Sequence, residues 1–131
     1  MNYIKRIDKK IIVDGSTINT TFYKYLKHLS IANFKSIDAL RISCKHNCNV
    51  KSEMPLYISK DILLVYSGSL ITKDAFVINY LNVVDVVTSD SNTIIIFKDK
   101  TQLDLSISSF RTKTMLEKGK IVLKYITKNN I

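Results

Sequence analysis

The stretch "TIIIFKDKTQLDLSISSF", Thr93 to Phe110, decides the reading of the fold. Ile94 and Ile96 alternate with Ile95 and Phe97, so both sides of a strand are apolar, which predicts a central strand. Asp99-Lys100 predicts a hairpin turn, without the glycine that the tightest turns favour. On the return, Leu103, Leu105 and Ile107 face one way and Gln102, Asp104 and Ser106 the other. That alternation predicts a strand buried on one side and wet on the second. Ser108 stands where a helix cap is expected. Beyond it Met115, Gly119, Val122 and Ile126 recur at helical spacing, and Phe110, Leu116 and Leu123 widen the stripe. Lys113, Lys120 and Lys124 share the outer face of this last helix.

Upstream, "ILLVYSGS" reads as a continuous apolar strand broken at Gly68. "AFVINY" follows as the next strand, then "LNVVDVV" as a further strand or one turn leading into it. "YIKRIDKKIIV" predicts two short strands around a basic turn at Asp8 to Lys10, broken by "DGS". Phe22, Tyr25, Leu26 and Leu29 then mark one face of a helix, with Thr20 or Asn19 as its cap and Lys24, Lys27 and His28 on its other face. Ser36 predicts the cap of a second helix, with Asp38 in its first turn, Ile37, Leu40 and Cys44 inward, and Arg41 and Lys45 outward. Pro55 returns the chain to an extended form.

The whole predicts a single α+β domain over residues 1–131. A mostly antiparallel sheet, in a small barrel or sandwich of pleckstrin-homology-like kind, is joined to a short helical insertion and a C-terminal helix. At 131 residues the chain suits one domain with a real core. A hydrophobic share of 46% against 24% charged residues sets it apart from disordered sequences. No apolar run approaches the ~20 residues of a spanning helix. "MNYIKRIDKK" has no hydrophobic segment behind it, so no secretory signal is expected, and the protein is expected in the cytoplasm.

The formal net charge is +9, and lysine outnumbers arginine 17 to 3. Abundant Lys, Ile and Asn share A/T-rich codons, which discounts the raw total. The distribution is harder to discount. Residues 1–55 hold ten basic and four acidic side chains, residues 56–105 four and six, and residues 106–131 six and one. Basic ends around a slightly acidic middle point to a polyanion partner, nucleic acid or an anionic membrane surface.

Catalytic motifs are missing. Phosphate-binding glycine loops and a nucleophile elbow do not occur, and the eleven acids fall mostly singly in turns or on wet strand faces. "CKHNC" places His46 between Cys44 and Cys48, but a structural zinc asks for four ligands and the only other histidine is His28. Two reduced thiols, no metal, no cofactor and no enzymatic activity are the expectation.

The order of the segments adds a resemblance. A cap serine followed by "IANFKSIDALRI", a basic loop, "SEMPLYIS" and "ILLVYSGS" resembles the competence transcription factor (ComK) family. There a Ser-Leu-x-Gly-Arg stretch opens a helix, and a Lys-x-Pro-Ile-like segment precedes an apolar strand. Ser30-Ile31-Ala32-Asn33-Phe34 occupies the first place here and Glu53-Met54-Pro55-Leu56 the second. "VINYLNVVDVV" and "TIIIFKDKTQLDLSISSFRTKTMLEKG" are similar to the family's hairpin and its serine-rich entry into the closing helix. The likeness spans nearly the whole chain. One departure stands out: Asn33-Phe34 replaces Gly-Arg, removing an arginine suited to meet phosphate or brace the loop, with Lys35 next to it.

The resemblance implies a nucleoid-associated activator of genes for DNA uptake, binding A/T-rich promoter DNA largely through the minor groove. It further implies homo-oligomers on DNA and control by a proteolytic adaptor. Within that reading Lys24, Lys27, Lys35, Arg41, Lys113, Lys120 and Lys124 are the expected phosphate contacts, joined by Arg111. Arg6 falls in a flexible-looking start. The alternatives are a pleckstrin-homology-like module on an anionic membrane or a protein partner, and a scaffold whose lysines serve solubility alone. The loops "TSDSN" and "KDKTQ" lack the lysine density of a lipid site.

Overall fold

The computed structural model describes all residues, Met1–Ile131. Nine strands and three α-helices follow one another as β1 (Tyr3–Ile7), β2 (Lys10–Val13), β3 (Ser16–Ile18), α1 (Phe22–Ala32), α2 (Ile37–Cys48), β4 (Leu56–Ser59), β5 (Ile62–Val65), β6 (Phe76–Asn79), β7 (Val83–Thr88), β8 (Thr93–Phe97), β9 (Gln102–Leu105) and α3 (Ser109–Lys128). A 3₁₀ turn, Tyr80–Asn82, links β6 to β7. The α+β class stands. The larger sheet has the order β3-β2-β1-β6-β5-β4 and the smaller one β7-β8-β9. Every pairing is antiparallel. The sheets stay separate and open, so the sandwich form of the expectation holds and the barrel form does not.

Strand alternation explains the layering, because successive side chains of the large sheet leave by opposite faces. Ile4, Leu64 and Val77 meet Phe22 and Leu26 of α1 and Ile37 of α2. Tyr3, Val65, Phe76 and Ile78 turn the other way, toward Ile95 and Phe97 of β8, Leu103 and Leu105 of β9, and Met115 of α3. A third cluster joins Cys44 of α2, Leu63 of β5, and Val122 and Ile126 of α3. The helical hairpin α1–α2 thus lies over one face of the large sheet, and the small sheet and α3 lie over the other. Asn79, fully buried, ties the centre together: its amide donates to the Met1 and Asp61 carbonyls, each at 2.9 Å, and its Oδ1 accepts the Leu63 N–H at 3.1 Å.

Most local expectations match. β8 is the central strand of its sheet, and β9 buries Leu103 and Leu105 while Gln102 and Asp104 stay exposed. Lys100 supplies the left-handed residue of their turn with φ 70°. Met115, Gly119, Val122 and Ile126 are all buried on α3, and Ser36 and Ser108 cap as expected. Four details differ. Thr21, not Thr20 or Asn19, caps α1, since its hydroxyl directly precedes the first core residue, Phe22, and accepts from the Lys24 N–H. Phe110 is 78% exposed, because the buried arc of α3 begins at Thr112 and Phe110 points away from it. β3 adds a strand after Gly15, where "DGS" reads as a break. Arg6 sits within β1 rather than in a flexible start: its guanidinium donates to the Ile71 and Thr72 carbonyls at 3.1 and 3.0 Å and lies 5.4 Å from the Phe22 ring centroid.

Candidate nucleic-acid interface

The α1–α2 hairpin is built by its caps. Asn33 is the C-cap of α1, and its own Nδ2 donates to the Leu29 carbonyl at 2.9 Å. The Phe34 N–H donates to the Ile31 carbonyl and the Lys35 N–H to the Ser30 carbonyl, both at 2.9 Å. These two bonds form a Schellman motif, whose left-handed position usually holds glycine. Here it holds Phe34, with φ 60° and a side chain 98% exposed. Ser36 then starts α2 by accepting the Ala39 N–H at 3.1 Å. The turn is therefore four residues long and fixed at both ends, and it projects an aromatic ring into solvent.

Basic side chains line this hairpin. Lys24, Lys27 and His28 lie on the outer side of α1 because Phe22 and Leu26 fix its inner side in the core. Lys35 is exposed in the turn, and Arg41 and Lys45 are exposed on α2. A shallow hollow of about 190 Å³ lies between the helices, where Tyr23, Lys27 and Ile31 face Lys35, Ser36 and Asp38. Arg41 also exerts its field on the buried Tyr66 hydroxyl, whose pKa burial pushes up against the pull of Arg41.

The remaining expected contacts lie elsewhere. Lys113, Lys120 and Lys124 are exposed along α3, in the layer across the large sheet from α1. Arg111 belongs to neither row. Its Nε donates to Ser67 Oγ at 2.9 Å, and it lines a polar cleft of about 470 Å³ with Lys5, Ser67, Gly68, Thr72 and Asp74. The hairpin thus gathers Lys24, Lys27, Lys35 and Arg41, α3 gathers a second row, and Arg111 stands with Lys5. Lys5 and Phe34 were not expected at any site. The first is placed by the pairing of β1 with β6, and the second by a helix end that asks for glycine.

Only one of the twenty lysines and arginines forms an ion pair: Lys118 Nζ lies 3.1 Å from Glu53 Oε1. Every cation of the hairpin and of the outer α3 row is without a carboxylate partner. Cys44 is the opposite of an activated nucleophile, since burial, with its neighbour Cys48, pushes its thiol up to about 12. His, Cys, Asp and Glu side chains gather nowhere in threes. A groove of about 870 Å³ between β7 and α3 is walled by Tyr80, Leu81, Val83, Leu116 and Leu123, with Asp85 the acid of β7 in it. Comparison of the chain with family models, with curated proteins and with solved structures finds no match.

Proposed function

We propose that the protein is a DNA-binding transcriptional regulator that docks A/T-rich duplex DNA on the α1–α2 hairpin and serves genes of DNA uptake. The observation that carries this reading is the state of the hairpin's cations. Lys24, Lys27, Lys35, Arg41 and Lys45 are all exposed and unpaired, and Asp38 is the one acid between Phe22 and Cys48 to set against them. Unpaired cations on one rigid supersecondary unit are suited to replace the counterions condensed on phosphates. Lysines kept for solubility alone are expected among acids of the opposite sign. The part in competence, association of copies on DNA and control by a proteolytic adaptor are supported by the sequence resemblance.

An anionic membrane is the competing ligand. No helix is long and apolar enough to cross a membrane. The loops that a lipid-docking module would present, Thr88–Asn92 and Lys98–Thr101, carry Asp90 and Asp99 beside Lys98 and Lys100.

The test is fluorescence anisotropy on A/T-rich and G/C-rich duplexes across a salt series. Docking predicts a log–log slope of about −0.9 per neutralised phosphate and an A/T preference that survives added salt. Lys24→Glu with Lys27→Glu should abolish binding, while Lys120→Glu with Lys124→Glu should weaken it less. Equal binding to both duplexes that salt erases would sink promoter recognition, and a larger loss from the α3 pair would move the docking face.

A further inference from the structure

Phe34 combines two unfavourable features that glycine would remove together. It is a bulky residue at φ 60°, in the left-handed region that L side chains avoid. Its ring is also 98% exposed, the highest exposure of any large hydrophobic side chain in the protein. Nothing in the fold compensates. The Schellman bonds of the turn use only backbone groups, which glycine would supply equally well. A strained and uncovered aromatic, fixed between two capped helices, is a feature whose use lies in what it touches.

The surroundings specify the partner. Lys35 follows the ring directly and lines, with Lys27, the hollow between the two helices, and Ile31, 56% exposed, precedes the ring by one turn. Asp38 is the one acid of the hairpin. Lipid docking asks for a continuous band of apolar side chains; here the stripe of α1 is spent on the core through Phe22 and Leu26, and the exposed Tyr23, Ile31 and Ile42 are interspersed along the chain with Lys24, Lys27, Lys35 and Arg41. A ring that projects this fully, set among cations, matches a target that is flat and apolar within and anionic on its rails. Stacked base pairs between phosphate strands have that chemistry.

We propose that Phe34 is a wedge that enters between two base pairs of the bound duplex and kinks it, while Lys27 and Lys35 hold the flanking phosphates. This rests on the DNA-binding reading above and names its mechanism. A wedge of this kind reads no base edge. It selects steps that unstack easily, and TA steps are the softest, so A/T preference follows from deformability without direct contacts. The Asn33-Phe34 pair, a loss when judged by the missing arginine, becomes a change of mode from phosphate contact to intercalation.

The experiment places 2-aminopurine beside a central TA step in an A/T-rich duplex and follows fluorescence and end-to-end energy transfer as full-length protein is added. Wild type should brighten the probe and shorten the duplex ends. Phe34→Gly should bind about tenfold or more weakly with both signals lost, yet keep the salt slope, because the phosphate contacts remain. Phe34→Leu, a smaller wedge, should retain part of the bend. Salt-dependent binding by wild type with no brightening, and equal affinity for Phe34→Gly, would overturn the wedge while leaving DNA binding intact. Absence of salt-sensitive DNA binding by wild type would overturn both. Loss of binding to phosphatidylserine vesicles in Phe34→Gly, with DNA binding unchanged, would assign the ring to a membrane instead.

Discussion

The ring of Tyr80 lies so close to Gly119 that a methyl group on that glycine would come within 2.7 Å of Tyr80 Cδ1. Val65 Cγ1 would be met at 2.9 Å. Gly119 sits mid-helix, where alanine is ordinarily favoured by about 1 kcal/mol. Here the overlap with a ring and a buried valine outweighs that gain. Gly119→Ala should destabilise the protein by about 1–2 kcal/mol in urea unfolding. A stabilised variant would mean that Tyr80 swings freely into the groove beside β7.

Glu53 governs acid sensitivity at the seam between the α2–β4 loop and α3. Burial pushes its carboxyl up, but the Gly68 N–H, which donates to Oε2, and Lys118 at 3.1 Å from Oε1 more than reverse this and leave the pKa below its ordinary 4.5. A lowered folded pKa gives stability that is complete above the unfolded value and is lost as pH falls through the folded one. Glu53→Gln should therefore lower stability at pH 7 by roughly 0.5–1 kcal/mol, since solvent screens the partly exposed Lys118 pair, and flatten the fall below pH 4.5. Parallel acid limbs in thermal melts of the two proteins would refute that role.

Arg6 holds the loop between β5 and β6 through two carbonyls and stacks over Phe22. Arg6→Ala should cost about 1–2 kcal/mol and expose the Ser67–Asp74 segment to limited proteolysis. Arg6→Lys should rescue little, because one ammonium lacks the flat fork that reaches both oxygens and covers the ring. Full rescue by lysine would reduce the interaction to charge alone.

Phe34→Gly carries a prediction separate from DNA. Relief of left-handed strain exceeds the added freedom of the unfolded chain, so the variant should be more stable by about 0.5–1 kcal/mol. Differential scanning calorimetry would read this as a higher Tm. A lower Tm would show that the ring packs against the fold in solution.

Features set by near neighbours were legible in the sequence. Ser36 and Ser108 announce helices because a hydroxyl cap acts within three residues, and the apolar stripe from Met115 to Ile126 needs only its own spacing. The β8–β9 hairpin is likewise local. β3 escaped because three residues, two of them polar and exposed, offer no alternation to read. Lys5 and Arg111 share a cleft only because β1 pairs with β6 and Arg111 of α3 reaches Ser67, relationships between distant parts of the chain. Phe34 was visible as a residue but not as a conformation. Its meaning depends on α1 ending at Ala32 with Asn33 as its cap, which leaves Phe34 the left-handed place.

The inner place of β1 also has a consequence in time. Tyr3 pairs with Ile78, so the first strand waits for a partner made roughly 75 residues later, and the ordering cost of that closure precedes its reward. During synthesis the β1–β2–β3 meander can form early, but Ile4 and Ile11 stay uncovered until the helical hairpin docks and β6 arrives. A nascent chain halted before Phe76 leaves the β1 and β5 edges open to any passing strand. The interval between translating β1 and translating β6 is therefore when the protein is most exposed to aggregation and proteolysis, and slower elongation there would lower its yield with no change in the finished fold.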